Sequence, residues 1–241
     1  MNVDLNDFIA AGYFLARLSK REPWMSAELL PERILSACDC ICSFFPDAWT
    51  MDWSSSPAER SKGVSAFQIP ADRIADVVSW ADGSFQKAFG WPRVLYSLAD
   101  ARAAQALLGP AVDGVTLFAL GLPTDLVGAF LAAAEPPPQK EGYAPVGVTG
   151  YFRCVSRRER LADGGEPIGF ELLSTWMGLL THSWLCNGLE KQLHEKVGLI
   201  PNEYGFIANL DSARDGARRI NAGELKGEPE EWFPWLVVRY G

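Results

Sequence analysis

Apolar residues recur every four positions from Leu185 through Leu189 and Leu193 to Val197, the spacing that lines one face of a helix. Lys191 and Glu195 lie four apart on another face and support the same element. Gly198 falls where a helix end takes a left-handed residue, Leu199 can fold back onto the last turn, and Pro201 blocks continuation. Residues 181–207 are therefore read as a central helix. It is expected to pack under the closing segment Trp232–Tyr240, whose aromatic and branched residues read as a strand.

The same pattern reading extends to the rest of the chain. LNDFIAAGYFLARL near the start suggests a short helix, with a strand over Ala10–Leu18 as the alternative. Leu30, Ile34, Cys38 and Ile41 follow helical spacing, and Pro46 ends that run. A further helix is expected after Ile69-Pro70, and another in the second half of RVLYSLADARAAQALLG. Gly114–Leu120 reads as a buried strand, and Pro123–Ala134 as a helix capped by Thr124. VGVTGYFRCVSRR reads as a strand, and GGEPIGFELLSTWMG as a turn and a strand. NEYGFIANLDSARDGARRIN reads as a turn or strand followed by a charged helix. The sum is an α+β fold, mixed helices around a small, mostly antiparallel sheet. The Pro-rich run 135–142 is the best boundary, giving lobes at 1–134 and 143–241 or one compact unit.

Composition narrows the function classes. An apolar share of 48% against 22% charged residues suits a globular chain and excludes general disorder. No apolar run reaches the roughly 18–20 residues of a membrane span, and the acidic opening lacks the basic region of a secretory signal. A cytoplasmic protein without disulfides is expected, despite five cysteines. The net charge of −8 argues against nucleic acid as a ligand and suits a basic partner.

Candidate chemistry is sparse. Cys38-x-Cys40-x-Cys42 has one-residue spacing where zinc sites usually use two to four, and a helix would turn Cys40 away from its neighbours. Core packing is the preferred reading, with no metal and no cofactor. His182 and Cys186 could share a helical face as a base and a nucleophile, but no signature surrounds them. Gly164-Gly165 reads as a turn. Of the nine tryptophans, Trp49 and Trp53 lie in a stretch without apolar period and are the expected exposed pair. Asp211, Asp215, Glu224, Glu228, Glu230 and Glu231 form a solvated acidic face or a docking patch for a basic partner.

SWLCNGLE, the NEYGFI turn and the closing EPEEWFPWLVVRYG resemble a bacterial family of polymorphic-toxin immunity proteins, including those paired with type VI secretion effectors. LFALGLPTDLVGAFLAAAEPPP and GGEPIGFELL fit the same pattern, so the resemblance spans residues 114–241. It implies a small cytoplasmic protein that binds a cognate antibacterial toxin and occludes its active site, with no catalytic residues of its own. The acidic balance implies in turn a nuclease with a basic cleft, and a monomeric inhibitor is favoured. Two rivals are a cysteine- or metal-dependent hydrolase using Cys186 and His182, and a structural adaptor of a secretion system.

Overall fold

The computed structural model describes residues 3–38, 40–45, 69–90, 94–109, 114–135, 149–176 and 179–241. Trp49, Trp53 and nearly all of the Pro-rich run lie outside the described residues. Ten strands are present among them: β1 (Phe8–Arg17), β2 (Ser19–Lys20), β3 (Arg33–Ile34), β4 (Ser43–Phe45), β5 (Phe89–Gly90), β6 (Val94–Leu95), β7 (Val115–Pro123), β8 (Glu166–Trp176), β9 (Leu179–Ser183) and β10 (Glu231–Tyr240). The α-helices are α1 (Ile74–Ser84), α2 (Leu98–Leu108), α3 (Val127–Ala133), α4 (Gly150–Arg157), α5 (Glu190–Val197) and α6 (Leu210–Asn221). The fold is α+β.

An antiparallel sheet runs in the order β5-β6-β1-β7-β10-β8-β9, with β4 also pairing β1. β10 is its central joint: Val237 lies opposite Leu120 of β7 on one side and Gly169 of β8 on the other. Strands from both sides of residues 135–142 thus share one sheet.

Both faces of the sheet are covered, and this explains the sequence text of its strands. On one face Phe8, Ala10, Tyr13 and Leu15 meet Leu236, Val238 and residues of α1, α2, α5 and α6. On the other, Ile9, Ala11, Phe14 and Ala16 join Trp235, Val237 and residues of α3 and α4. A strand buried on both sides carries an unbroken apolar run with no alternation. The expected helix over LNDFIAAGYFLARL is therefore the strand β1, the alternative reading. The side assignment in β1 shifts at a bulge by Gly12, whose φ of +136° and close approach to Val94 exclude a side chain.

Other expectations are corrected for related reasons. Among its described residues, the run SAELLPERILSACDCICSFFP forms no helix but turns and the short strands β3 and β4, because its apolar residues point inward from an irregular loop. VGVTGYFRCVSRR, read as a strand, contains α4, opened by the Thr149 hydroxyl, which accepts from the Phe152 amide at 3.3 Å. The expected central helix divides into β9, a tight turn over residues 184–189, and α5. Its predicted end is as read: Gly198 is left-handed at φ +69°, and its amide donates to His194 O at 2.9 Å. Beneath β10 lies α6, not α5; Ala213, Ala217 and Ile220 of α6 are in its core.

Candidate functional site

Glu171 is a fully buried acid in β8. Its carboxylate accepts from the Ala37 amide at 2.9 Å and from the Ser36 hydroxyl. Burial pushes its pKa up to about 7, against the opposing pull of these hydrogen bonds. Ser36 Oγ in turn accepts from the Cys38 amide at 3.1 Å, and the chain turns tightly as Ile41 and Cys42 donate to Cys38 O. The residues that follow β3 are thus anchored to the sheet by a strand residue 134 positions away.

A second turn faces the first. After β9, the Leu185 amide donates to Ser183 Oγ at 3.1 Å, Asn187 N donates to Ser183 O, and Leu189 N donates to Trp184 O. The Ser183 amide donates to Cys186 Sγ at 3.2 Å. His182, at the end of β9, is held by a 3.1 Å hydrogen bond from its amide to Ser174 Oγ.

The two turns bring four soft donor atoms together. Cys38 Sγ lies 3.7 Å from Cys186 Sγ. His182 Nδ1 lies 3.6 Å from Cys186 Sγ and 4.0 Å from Cys40 Sγ. All four donor atoms fall within 4.8 Å of one another. None of the five cysteines is in a disulfide. The neighbouring Cys186 thiol, then burial, pushes the Cys38 thiol well above the ordinary range, while the Cys40 and Ser183 amides oppose it. Three thiols and an imidazole make the donor set of a borderline-soft divalent cation.

This corrects the sequence reading of the cysteines. With no helix among the described residues of 30–42, Cys40 does not point away from Cys38; both sulfurs face the end of β9 and the turn after it. Cys42 does follow the packing expectation: it is buried in the core, and burial raises its thiol to about 11. The legible signal was a Cys-x-Cys pair at 38–40 beside a His-x3-Cys pair at 182–186, two chelating spacings that lie far apart in sequence.

The cluster opens on a shallow depression of about 450 Å³ lined by Glu22, Trp24, Cys40, His182, Cys186 and Glu228. Trp24 is 54% exposed, on a loop fixed by a 3.0 Å hydrogen bond from the Ser26 amide to the buried Glu190. Trp176, 56% exposed, stands at the end of β8, where Thr175 pairs with Glu231. Glu228 is tied to the second turn, its amide donating to Asn187 Oδ1 at 3.2 Å. Trp24 thus has Glu22 and Glu228 as acidic neighbours, and Trp176 has Glu231 on the adjoining strand.

The remaining predicted acids lie on or beside α6 and are not part of this group. Asp215 is paired with Arg218 at 2.6 Å and Arg219 at 2.9 Å, which lower its pKa. Glu224 is paired with Arg219 at 2.9 Å. Asp211 is exposed in the first turn of α6, where the helix dipole favours a carboxylate. Arginines compensate much of the negative charge that the sequence places here. Sequence reasoning missed Trp24 and Trp176, since neither stands out from the local pattern.

Comparison with known proteins gives little. No family model matches the chain, and no solved structure matches it. The 33 kDa chaperonin of Azotobacter vinelandii (strain DJ / ATCC BAA-1303) is 29% identical over 137 residues, 56% of this chain. The match spans 38% of the chaperonin's own length. Among the described residues, no helix is long and apolar enough to cross a membrane.

Proposed function

We propose that this protein acts by binding, as an immunity protein that covers a cognate antibacterial toxin in the cytoplasm and transforms no substrate. The observation that carries this reading is that each of two exposed tryptophans has acidic neighbours: Trp24 lines a depression with Glu22 and Glu228, and Trp176 follows Thr175, which pairs with Glu231. Aromatic anchors supply most of the affinity of an interface, and acidic groups around them steer a basic partner and fix its register. The net charge of −8 acts in the same direction at longer range. A nuclease with a basic substrate cleft is the toxin class that this surface complements.

The reading is tested by co-expression with the toxin encoded in the adjacent reading frame. Restored growth and co-elution of the two chains are expected. Growth arrest that persists while the folded protein accumulates would sink it.

A chaperone role is the second reading, favoured by the partial likeness to the 33 kDa chaperonin. It predicts suppressed aggregation of unrelated unfolded proteins. An immunity protein has no such effect at equimolar ratio.

A further inference from the structure

We propose that Cys38, Cys40, His182 and Cys186 form a closed, tetrahedral zinc site that clamps the 38–42 turn to the end of β9. Zinc–sulfur bonds of about 2.3 Å and zinc–nitrogen bonds of about 2.0–2.1 Å fix the edges of such a tetrahedron. Sulfur–sulfur edges come to about 3.8 Å and sulfur–nitrogen edges to about 3.6 Å. The observed separations of 3.7 Å for Cys38–Cys186 and 3.6 Å for Cys186–His182 match these edges, and 4.0 Å for Cys40–His182 is slightly open.

Packing alone accounts for Cys42 and Cys154, which are buried among apolar side chains. It does not account for Cys40, an exposed residue whose sulfur turns toward an imidazole nitrogen that also faces Cys186. A disulfide needs its sulfurs about 2.0 Å apart and would use two of the four groups. A hydrolytic Cys186–His182 pair would leave Cys38 and Cys40 without a part in the arrangement.

The surroundings suit bound thiolates. The Ser183 amide points at Cys186 Sγ, and the Cys40 and Ser183 amides face Cys38 Sγ. Such N–H···S contacts offset the excess negative charge of three sulfurs on one dication and hold them in place. Thiolates and imidazole select zinc over magnesium or calcium, and four protein donors leave no position for substrate, so the site is structural. On loading, three thiols each give up a proton to solvent as three zinc–sulfur bonds and one zinc–nitrogen bond form. Because Cys40 and Glu228 line the same depression, the clamp also stiffens the floor beneath Trp24.

Elemental analysis of the full chain tests the site, after expression in zinc-supplemented medium and reducing, chelator-free purification. One zinc per chain is expected, and cobalt exchanged into the chain should give the visible bands of tetrahedral thiolate coordination. Cys40→Ser, at an exposed position, and His182→Ala should each weaken zinc binding at least tenfold and change the cobalt spectrum. His194→Ala should change neither. The proposal is overturned if the reduced chain takes up no zinc and cobalt gives no thiolate bands. It is equally overturned if Cys40→Ser and His182→Ala, both folded by circular dichroism, bind zinc as tightly as the parent.

Discussion

Ala37 donates its backbone N–H to the buried Glu171 carboxylate at 2.9 Å, bridging 134 positions of sequence. That bond and the Ser36 hydroxyl's fix the start of the cysteine turn to the sheet interior. A free carboxylic acid would ordinarily sit outside, and its burial has a measurable price.

Glu171 should make stability fall as pH rises from about 4.5 to about 7. Its carboxyl titrates near 4.5 unfolded and near 7 folded, so the folded chain holds the extra proton through that window. The contribution is fully present at lower pH and is lost as pH passes the folded value, a change of up to about 3 kcal/mol. Glu171→Gln cannot titrate, so denaturant unfolding at several pH values, with both chains equally loaded with metal, should show a flatter profile for the variant. Superimposable profiles would refute the assignment.

Asn202 should be worth more than its size suggests. Its Oδ1 accepts from the Tyr204 and Phe206 amides, each at 3.0 Å, and its Nδ2 donates to Ile168 O at 2.7 Å. All three bonds shape the turn that delivers Phe206 and Ile207 to β8. Asn202→Ala leaves these backbone groups unmatched and should cost about 2–3 kcal/mol, read from the shift in denaturation midpoint. A loss below about 0.5 kcal/mol would mean that water replaces the side chain fully.

Gly169→Ala should be among the most damaging single-methyl changes in this chain. The backbone there has φ +149°, and an added Cβ would come 2.3 Å from Phe206 Cβ. Backbone strain and overpacking each cost about 1–3 kcal/mol, so a loss near 3 kcal/mol or more is expected. Thermal unfolding measures it directly. A neutral outcome would require the Phe206 turn to move away from β8.

Trp24→Ala and Trp176→Ala should separate binding from folding. Both side chains are more than half exposed, so each change should alter stability by less than about 0.5 kcal/mol. If they anchor the toxin, each should weaken the complex by about 2 kcal/mol, roughly thirtyfold in Kd. Calorimetric titration of the purified pair decides this. Unchanged affinity in both variants would move the interface elsewhere on the surface.

Much of the fold is legible in the sequence where an element is bounded by strong local chemistry. The strand over GVTLFAL, the closing strand, the α6 helix and the Gly198 stop all follow from runs, caps and breakers. The failures have a common physical cause. In β1 the covering of both faces removes the alternation that separates strand from helix. In residues 26–45 apolar positions with helical spacing are buried from an irregular loop held by Glu171, a partner no local pattern reveals. The donor cluster was hidden for the same reason: its halves sit on two turns joined only by the tertiary fold. On the acidic face, Arg218 and Arg219 pair with Asp215 and Glu224, a compensation that the run of acids alone does not reveal.

The position of β10 between β7 and β8 sets an order of events during synthesis on the ribosome. Residues 231–240 are translated after both of their neighbours, so until they emerge β7 and β8 each present an unpaired edge. At about 5–20 residues per second, the stretch between β8 and β10 keeps those edges open for several seconds. A nascent chain in that state is an aggregation hazard, and its protection falls to cellular holdases or to the speed with which residues 231–240 follow.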